Sequence, residues 1–101
     1  MYVMMNRITV PEDDRPHFEK LFKTRARAVD KMPGFIRAQM LRPQKGSTYV
    51  IMTHWESEQS FLDWTRSDEF ELGHKRAENF KDGDGKMRLT SSMEVYEVFA
   101  E

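Results

Sequence analysis

Apolar and polar positions alternate from Tyr2 to Val10. Tyr2, Met4, Asn6, Ile8 and Val10 share one face of a predicted strand, and Val3, Met5, Arg7 and Thr9 share the other. The first face is expected to meet the core, with Asn6 as its one polar member. The segment Pro11-Glu-Asp-Asp-Arg-Pro16 then supplies acidic capping candidates and a proline suited to a first helical turn. From about His17 to Lys31 the period lengthens. Phe18, Leu21, Phe22, Arg25, Val29 and Met32 recur at spacings of three and four, which predicts one amphipathic helix with Arg25 inside its apolar stripe.

Pro33-Gly34 ends that helix, and Phe35 to Leu41 reads as a second strand. Arg42-Pro-Gln-Lys-Gly-Ser47 is turn material, so Thr48 to Trp55 is expected to return as a third strand in a hairpin with the second. Ser57 followed by Glu58 is an N-cap signal for a helix running to about Trp64, and Ser67-Asp68-Glu69 repeats it. Two short helices, or one broken helix, are therefore expected, with His74 near the end of the second. Residues 76–86 contain Asp82-Gly83-Asp84-Gly85 and read as a loop, while Met87 to Phe99 returns to strand chemistry.

This order, β-α-β-β-α-β, predicts an α+β, ferredoxin-like fold with a four-stranded antiparallel sheet, formed as a single domain over residues 1–101. Two helices cover one face of such a sheet. The second and third strands nevertheless carry apolar groups on both faces, and a chain of 101 residues has no spare element for the second face. A face-to-face homodimer closing a β-barrel is the economical expectation.

Composition narrows the chemistry. Charged residues make up 33% of the chain but nearly cancel to a net charge of −1, so no global basic field recruits nucleic acid or an anionic membrane. The absence of cysteine removes disulfides, thiolate metal sites and thiol nucleophiles. No stretch is long and apolar enough to span a bilayer, and a cytoplasmic location is expected.

The candidate residues are few. An amide at Asn6 in an apolar row needs a partner, either a nearby loop or helix end, or a ligand that accepts its N–H. Of the three histidines, His17 falls at a helix start and His54 lies mid-strand beside Trp55. No His-x-x-x-His spacing or carboxylate-rich set suggests zinc or non-haem iron. A lone His74 can still hold the one common iron centre that needs a single protein ligand, because porphyrin supplies four donors to haem iron. Trp64 is ten positions earlier, about 80° away around an unbroken helix, an angle that a break near Ser67 would change. Asp82-x-Asp84-Gly85 fails as a calcium loop, since Lys86 and Met87 stand where a ligand and a glycine should fall. No serine sits in a nucleophile-elbow context. Eight methionines suit a plastic core or an aromatic-binding cavity.

Together these residues resemble the haem-degrading monooxygenases of the iron-regulated surface-determinant type, small dimeric ferredoxin-like proteins of the antibiotic-biosynthesis-monooxygenase superfamily. The likeness covers nearly the whole chain. It rests on Asn6, on Met32-Pro33-Gly34-Phe35, on Thr53-His54-Trp55-Glu56-Ser57-Glu58 leading to Phe61 and Trp64, and on Ser67-Asp68-x-Phe70-x-x-Gly73-His74-Lys75. Leu41-Arg42-Pro43-x-Lys45-Gly46 is similar to the mycobacterial branch, and the stretch from Phe61 to Lys75 to the staphylococcal one. The resemblance implies haem as both cofactor and substrate, opened oxidatively at a meso carbon with O2 and an external electron donor such as a reductase or ascorbate, with release of iron. It further implies that His74 binds the iron, Asn6 donates a hydrogen bond on the oxygen side, and Trp64 presses the porphyrin out of plane. Phe22 and Arg25 would line the pocket, the arginine near a propionate, and the 76–86 loop could close over the haem edge.

Two other readings share the fold. A haem-binding or chaperone module would use His74 without turnover. A cofactor-free monooxygenase acting on a quinol or polyketide would use Trp64 and His74 as walls of an organic pocket.

Overall fold

A computed structural model of the chain describes residues 1–24, 27–71 and 90–101. Arg25, His74, the 76–86 loop and residues 87–89 of the expected last strand lie outside the described residues.

Four strands form one antiparallel sheet: β1 (Tyr2–Thr9), β2 (Phe35–Leu41), β3 (Thr48–Trp55) and β4 (Thr90–Glu97). Their spatial order is β2-β3-β1-β4, so the first strand is central and the last is an edge. Helix α1 (Arg15–Lys23) follows β1, and α2 (Glu58–Thr65) follows β3. This is the expected ferredoxin-like arrangement, and the bounds of β2 and β3 agree with those predicted from the Pro33-Gly34 stop and the 42–47 turn.

The register builds the helix-covered face as a grid. Tyr2, Met4, Asn6 and Ile8 of β1 stand opposite Trp55, Thr53, Ile51 and Tyr49 of β3, and paired residues in an antiparallel sheet point to the same side. At one end of the grid Phe18 of α1 meets Tyr49, with ring centroids 4.8 Å apart, and is buried with Ile8, Val10 and Ile51. At the other end Phe61 of α2 meets Tyr2 at 5.7 Å and Trp55 at 5.9 Å. Trp55 is wholly buried, and its indole N–H donates to Thr53 Oγ1 at 2.9 Å, so its one polar atom is satisfied. Burial of each such aromatic contributes roughly 1.5–3 kcal/mol.

The first helix differs from expectation. Instead of one helix from His17 to Lys31, α1 begins at Arg15 and stops at Lys23, and a separate 3-10 turn covers Ala28–Lys31. The stop is local. Thr24 turns back on the last turn, its hydroxyl donating to the Lys20 carbonyl at 2.8 Å and its backbone N–H to the same oxygen at 3.0 Å. Arg27 then adopts a left-handed φ of 60°, which no α-helix accommodates, and its guanidinium pairs with Asp30 at 2.8 Å. The periodic stripe is therefore shared between two segments. The acidic residues ahead of α1 form a 3-10 turn at Glu12–Asp14, and Asp14 makes no side-chain cap.

Ser57 does cap α2, accepting from the Ser60 N–H at 3.2 Å. The second cap signal also forms: Ser67 Oγ accepts from the Phe70 N–H at 3.2 Å, and residues 68–71 are helical. Gly34, at the turn into β2, has φ of 81°, and its carbonyl accepts from Glu56 N–H at 2.8 Å. That bond ties the start of β2 to the end of β3. Among the described residues no helix is long and apolar enough to cross a membrane.

Candidate functional site

Asn6 lies on the helix-covered face between the two contact patches, two positions from Ile8 under α1 and four from Tyr2 under α2. Across the sheet it belongs to the row Met40–Ile51–Asn6–Met93, one residue from each strand. The neighbouring row is Ala38–Thr53–Met4–Val95. Asn6 is half-buried, and no side-chain hydrogen bond to it is found among the described residues. No loop or helix end among the described residues satisfies the amide. Beside it, Met93 is 62% exposed and Val95 46% exposed, an apolar floor without a described cover.

Trp64 is half-buried one turn beyond Phe61 on α2. Its ring stands edge-on to Phe70, with centroids 5.6 Å apart and planes at 89°, and its carbonyl accepts from the Ser67 hydroxyl at 2.7 Å. The break at Ser67 therefore folds the start of the next helix back against the indole, fixing its orientation from one side.

Phe22 lines a different part of the face. It packs on Phe18 at 4.9 Å and borders a cleft of about 310 Å³ between α1 and strands β2 and β3. Phe18, Phe22 and Met40 form the apolar side of this cleft, and Glu19, Lys23, Arg42 and Tyr49 the polar side. Neither Asn6 nor Trp64 borders it, although Met40 shares the Asn6 row. Glu19 is the polar hub. Arg42 Nε donates to Glu19 Oε2 at 2.8 Å, Arg42 Nη2 donates to Oε1, and the Tyr49 hydroxyl donates to Oε2. The Arg42 hydrogen bonds, aided by Tyr49, hold the Glu19 carboxyl down to about 2. Burial first, and then the hydrogen bond to Glu19, push the Tyr49 phenol up.

His54 is excluded from this face. It stands opposite Val3 and Arg37, pointing to the other side of the sheet, with Nδ1 3.4 Å from Met1 Sδ. Burial, and secondarily the positive Arg37, hold its imidazole below its usual range. His17 is exposed on α1. No group of three or more His, Cys, Asp or Glu able to hold a metal is found among the described residues. The structure thus places Asn6 on the helix-covered face, Phe22 at the α1 cleft and Trp64 on α2 against Phe70, while Arg25 and His74 lie outside the described residues.

Sequence reasoning did not single out Met93, Val95 or the Glu19–Arg42–Tyr49 network. Alternation in the last strand carried the signal for Met93 and Val95, but their pairing with Asn6 and Met4 depends on register. Chemically, the face offers an amide with no partner among the described residues in a row of otherwise apolar side chains. Such a row suits an apolar ligand bearing a hydrogen-bond acceptor.

Comparison with known proteins identifies the family. The profile for the antibiotic biosynthesis monooxygenase family matches residues 1–76. A heme oxygenase (mycobilin-producing) of Mycobacterium tuberculosis is 48% identical over 63 residues, 61% of this chain. The matched stretch spans 60% of that relative's length. A staphylobilin-producing heme oxygenase of Staphylococcus aureus is 23% identical over 99 residues, covering 96% of this chain and 92% of the relative. Among solved structures, the heme-degrader MhuD of Mycobacterium tuberculosis, with two hemes bound in its active site, superposes with a TM-score of 0.77 at 32% identity, covering 100% of this chain and 98% of that one. SnoaB, a cofactor-independent oxygenase of Streptomyces nogalater, also reaches a TM-score of 0.77, at 22% identity over 99% of this chain and 94% of its own, a likeness of fold alone. By its sheet, its helices and its sequence over three quarters of its length, the chain belongs to the antibiotic biosynthesis monooxygenase family.

Proposed function

We propose that this protein is a haem-degrading monooxygenase, binding haem as its substrate and opening the porphyrin oxidatively with O2 and electrons from an external donor, a reductase or ascorbate, so that iron is released. One observation carries the reading: a half-buried Asn6 amide without a described partner stands in an apolar row, in a chain 32% identical along its length to a haem-bound haem degrader. The fit is chemical. A porphyrin is flat and apolar, and the slot between the α1 and α2 contact patches is floored by Met4, Met93 and Val95.

Bound haem supplies both the redox-active iron and the carbon that is oxidised. The chain's residues do the rest. Asn6 donates its N–H into the slot and orients the polar reactant there, while the surrounding apolar side chains limit water. Trp64, braced by Phe70, would be a rigid aromatic wall against the porphyrin. Phe22 packs at the α1 side. We assign iron ligation to His74 and contact with a propionate to Arg25 on the family likeness of their positions. The cytoplasm, where reducing equivalents are supplied, is the compartment that fits this chemistry.

We further propose that the protein works as a homodimer. The face opposite the helices carries Val3, Met5, Val50, Met52 and Leu41, and among the described residues no helix covers it. A second copy packed on it, sheet to sheet, closes a barrel and buries these groups.

Aerobic haem turnover tests the reading. With ascorbate or a reductase, and catalase present to remove peroxide, the Soret band is expected to decay to an open-chain tetrapyrrole identified by mass. His74→Ala is expected to lose the haem complex, and Asn6→Ala to keep haem while turnover falls by about tenfold or more. Haem that survives many reducing equivalents under O2 would leave a haem carrier instead.

A further inference from the structure

The cleft beside Phe22 has a polar side that the proposed reaction does not use. Its carboxylate is spent: Glu19 accepts from Arg42 at both oxygens and from Tyr49. Donors are left over. Arg42 commits Nε and Nη2 to Glu19 and its guanidinium also bonds Tyr49, yet the side chain is 65% exposed. Lys23 is exposed and forms no salt bridge among the described residues. Along the cleft one carboxylate, already bonded to Arg42 and coupled to Lys23, stands against two cations, a local excess that favours an anion. The adjoining wall of Phe18, Phe22 and Met40 favours an anion with an apolar body.

Register relates this cleft to Asn6. Met40, on the cleft wall, lies two strands from Asn6 in the same row, roughly 10 Å away on the same face. A porphyrin with its ring beside Asn6 is long enough to reach the cleft with one edge, and its charged substituents are its two propionates.

Resting on the haem reading above, we propose that the Lys23 ammonium and the exposed Arg42 guanidinium beside it receive a haem propionate in this cleft. The pair would set which edge of the macrocycle faces α1, and would select the free acid over a neutral porphyrin. Arg42 also ties α1 to the sheet through Glu19, so Lys23, at the solvent end of its helix, is the cleaner probe.

The test is an absorbance titration of the full chain with haem and with iron protoporphyrin dimethyl ester, which lacks the charges. Wild type is expected to bind haem more tightly than the diester. Lys23→Gln should weaken haem roughly fivefold while leaving the diester unchanged. Lys23→Arg should restore the preference, and Lys23→Glu should weaken haem further. Equal losses for both ligands, or no loss for haem, overturn the inference while the haem reading stands. A wild type that forms no stoichiometric complex with either ligand removes both.

Discussion

Asn6 and Glu19 face the same problem, a polar group on an apolar face, and meet it differently. Glu19 is satisfied within the fold by Arg42 and Tyr49, whereas the Asn6 amide has no described partner. Glu19 therefore belongs to stability, and its signature is in acid. Its folded-state value is depressed to about 2 from an ordinary 4.5, so the stabilisation is complete above the unfolded value and is lost as pH falls from about 4.5 toward 2. Thermal melts of wild type and Glu19→Gln from pH 7 to 2 are expected to differ most at neutral pH and to converge in acid. Parallel curves would show that the network carries no such linkage. In the sequence Asn6 was conspicuous because it broke an alternation, but Glu19 was one charge among many. Its partners sit 23 and 30 positions away, one just past β2 and one on β3.

At the scale of elements, local chemistry decided most boundaries. The Pro33-Gly34 stop and the 42–47 turn placed β2 and β3, and the serine caps at Ser57 and Ser67 formed where their spacing indicated. The single helix from His17 to Lys31 failed because periodicity survives an interruption: Phe18 and Phe22 share the core face with Val29 and Met32 in the sequence pattern, whether or not the backbone between them is helical. A left-handed arginine carries no compositional signal. Two left-handed glycines among the described residues, Gly34 and Gly46, give a controlled comparison. Both have φ of 81°, but a Cβ on Gly34 would fall 2.1 Å from Ser60 Oγ and 2.6 Å from Ser60 Cβ, whereas one on Gly46 meets nothing within 4 Å. Gly46→Ala is expected to cost only the backbone strain, about 1 kcal/mol. Gly34→Ala must also displace Ser60 of α2, and is expected to cost about 2–3 kcal/mol, read as a melting temperature roughly 10 °C lower or more. Equal losses would mean that the Ser60 contact relaxes freely.

For the whole molecule, the two sheet faces have opposite needs. The helix-covered face is filled at its ends and open at Asn6, Met93 and Val95, while the other carries Val3, Met5, Val50 and Met52 with no described helix over it. If a second copy covers that face, Met52→Asp, which puts a charge in its middle, is expected to shift sedimentation from dimer to monomer, while Met93→Gln on the helix side leaves the dimer intact. A wild type that sediments as a monomer would dispose of the barrel. The amino-acid sequence by itself determined the order of elements, the apolar character of both faces and the position of Asn6 on the inward one. These follow from period and turn chemistry, which act between near neighbours. Only the tertiary structure decided that Asn6 lies in one row with Met40 and Met93, that Phe22 borders a separate cleft, and that Glu19 is spent on Arg42 and Tyr49. Strand register and the angle of α1 on the sheet set these contacts, and both arise from packing between residues distant in the chain.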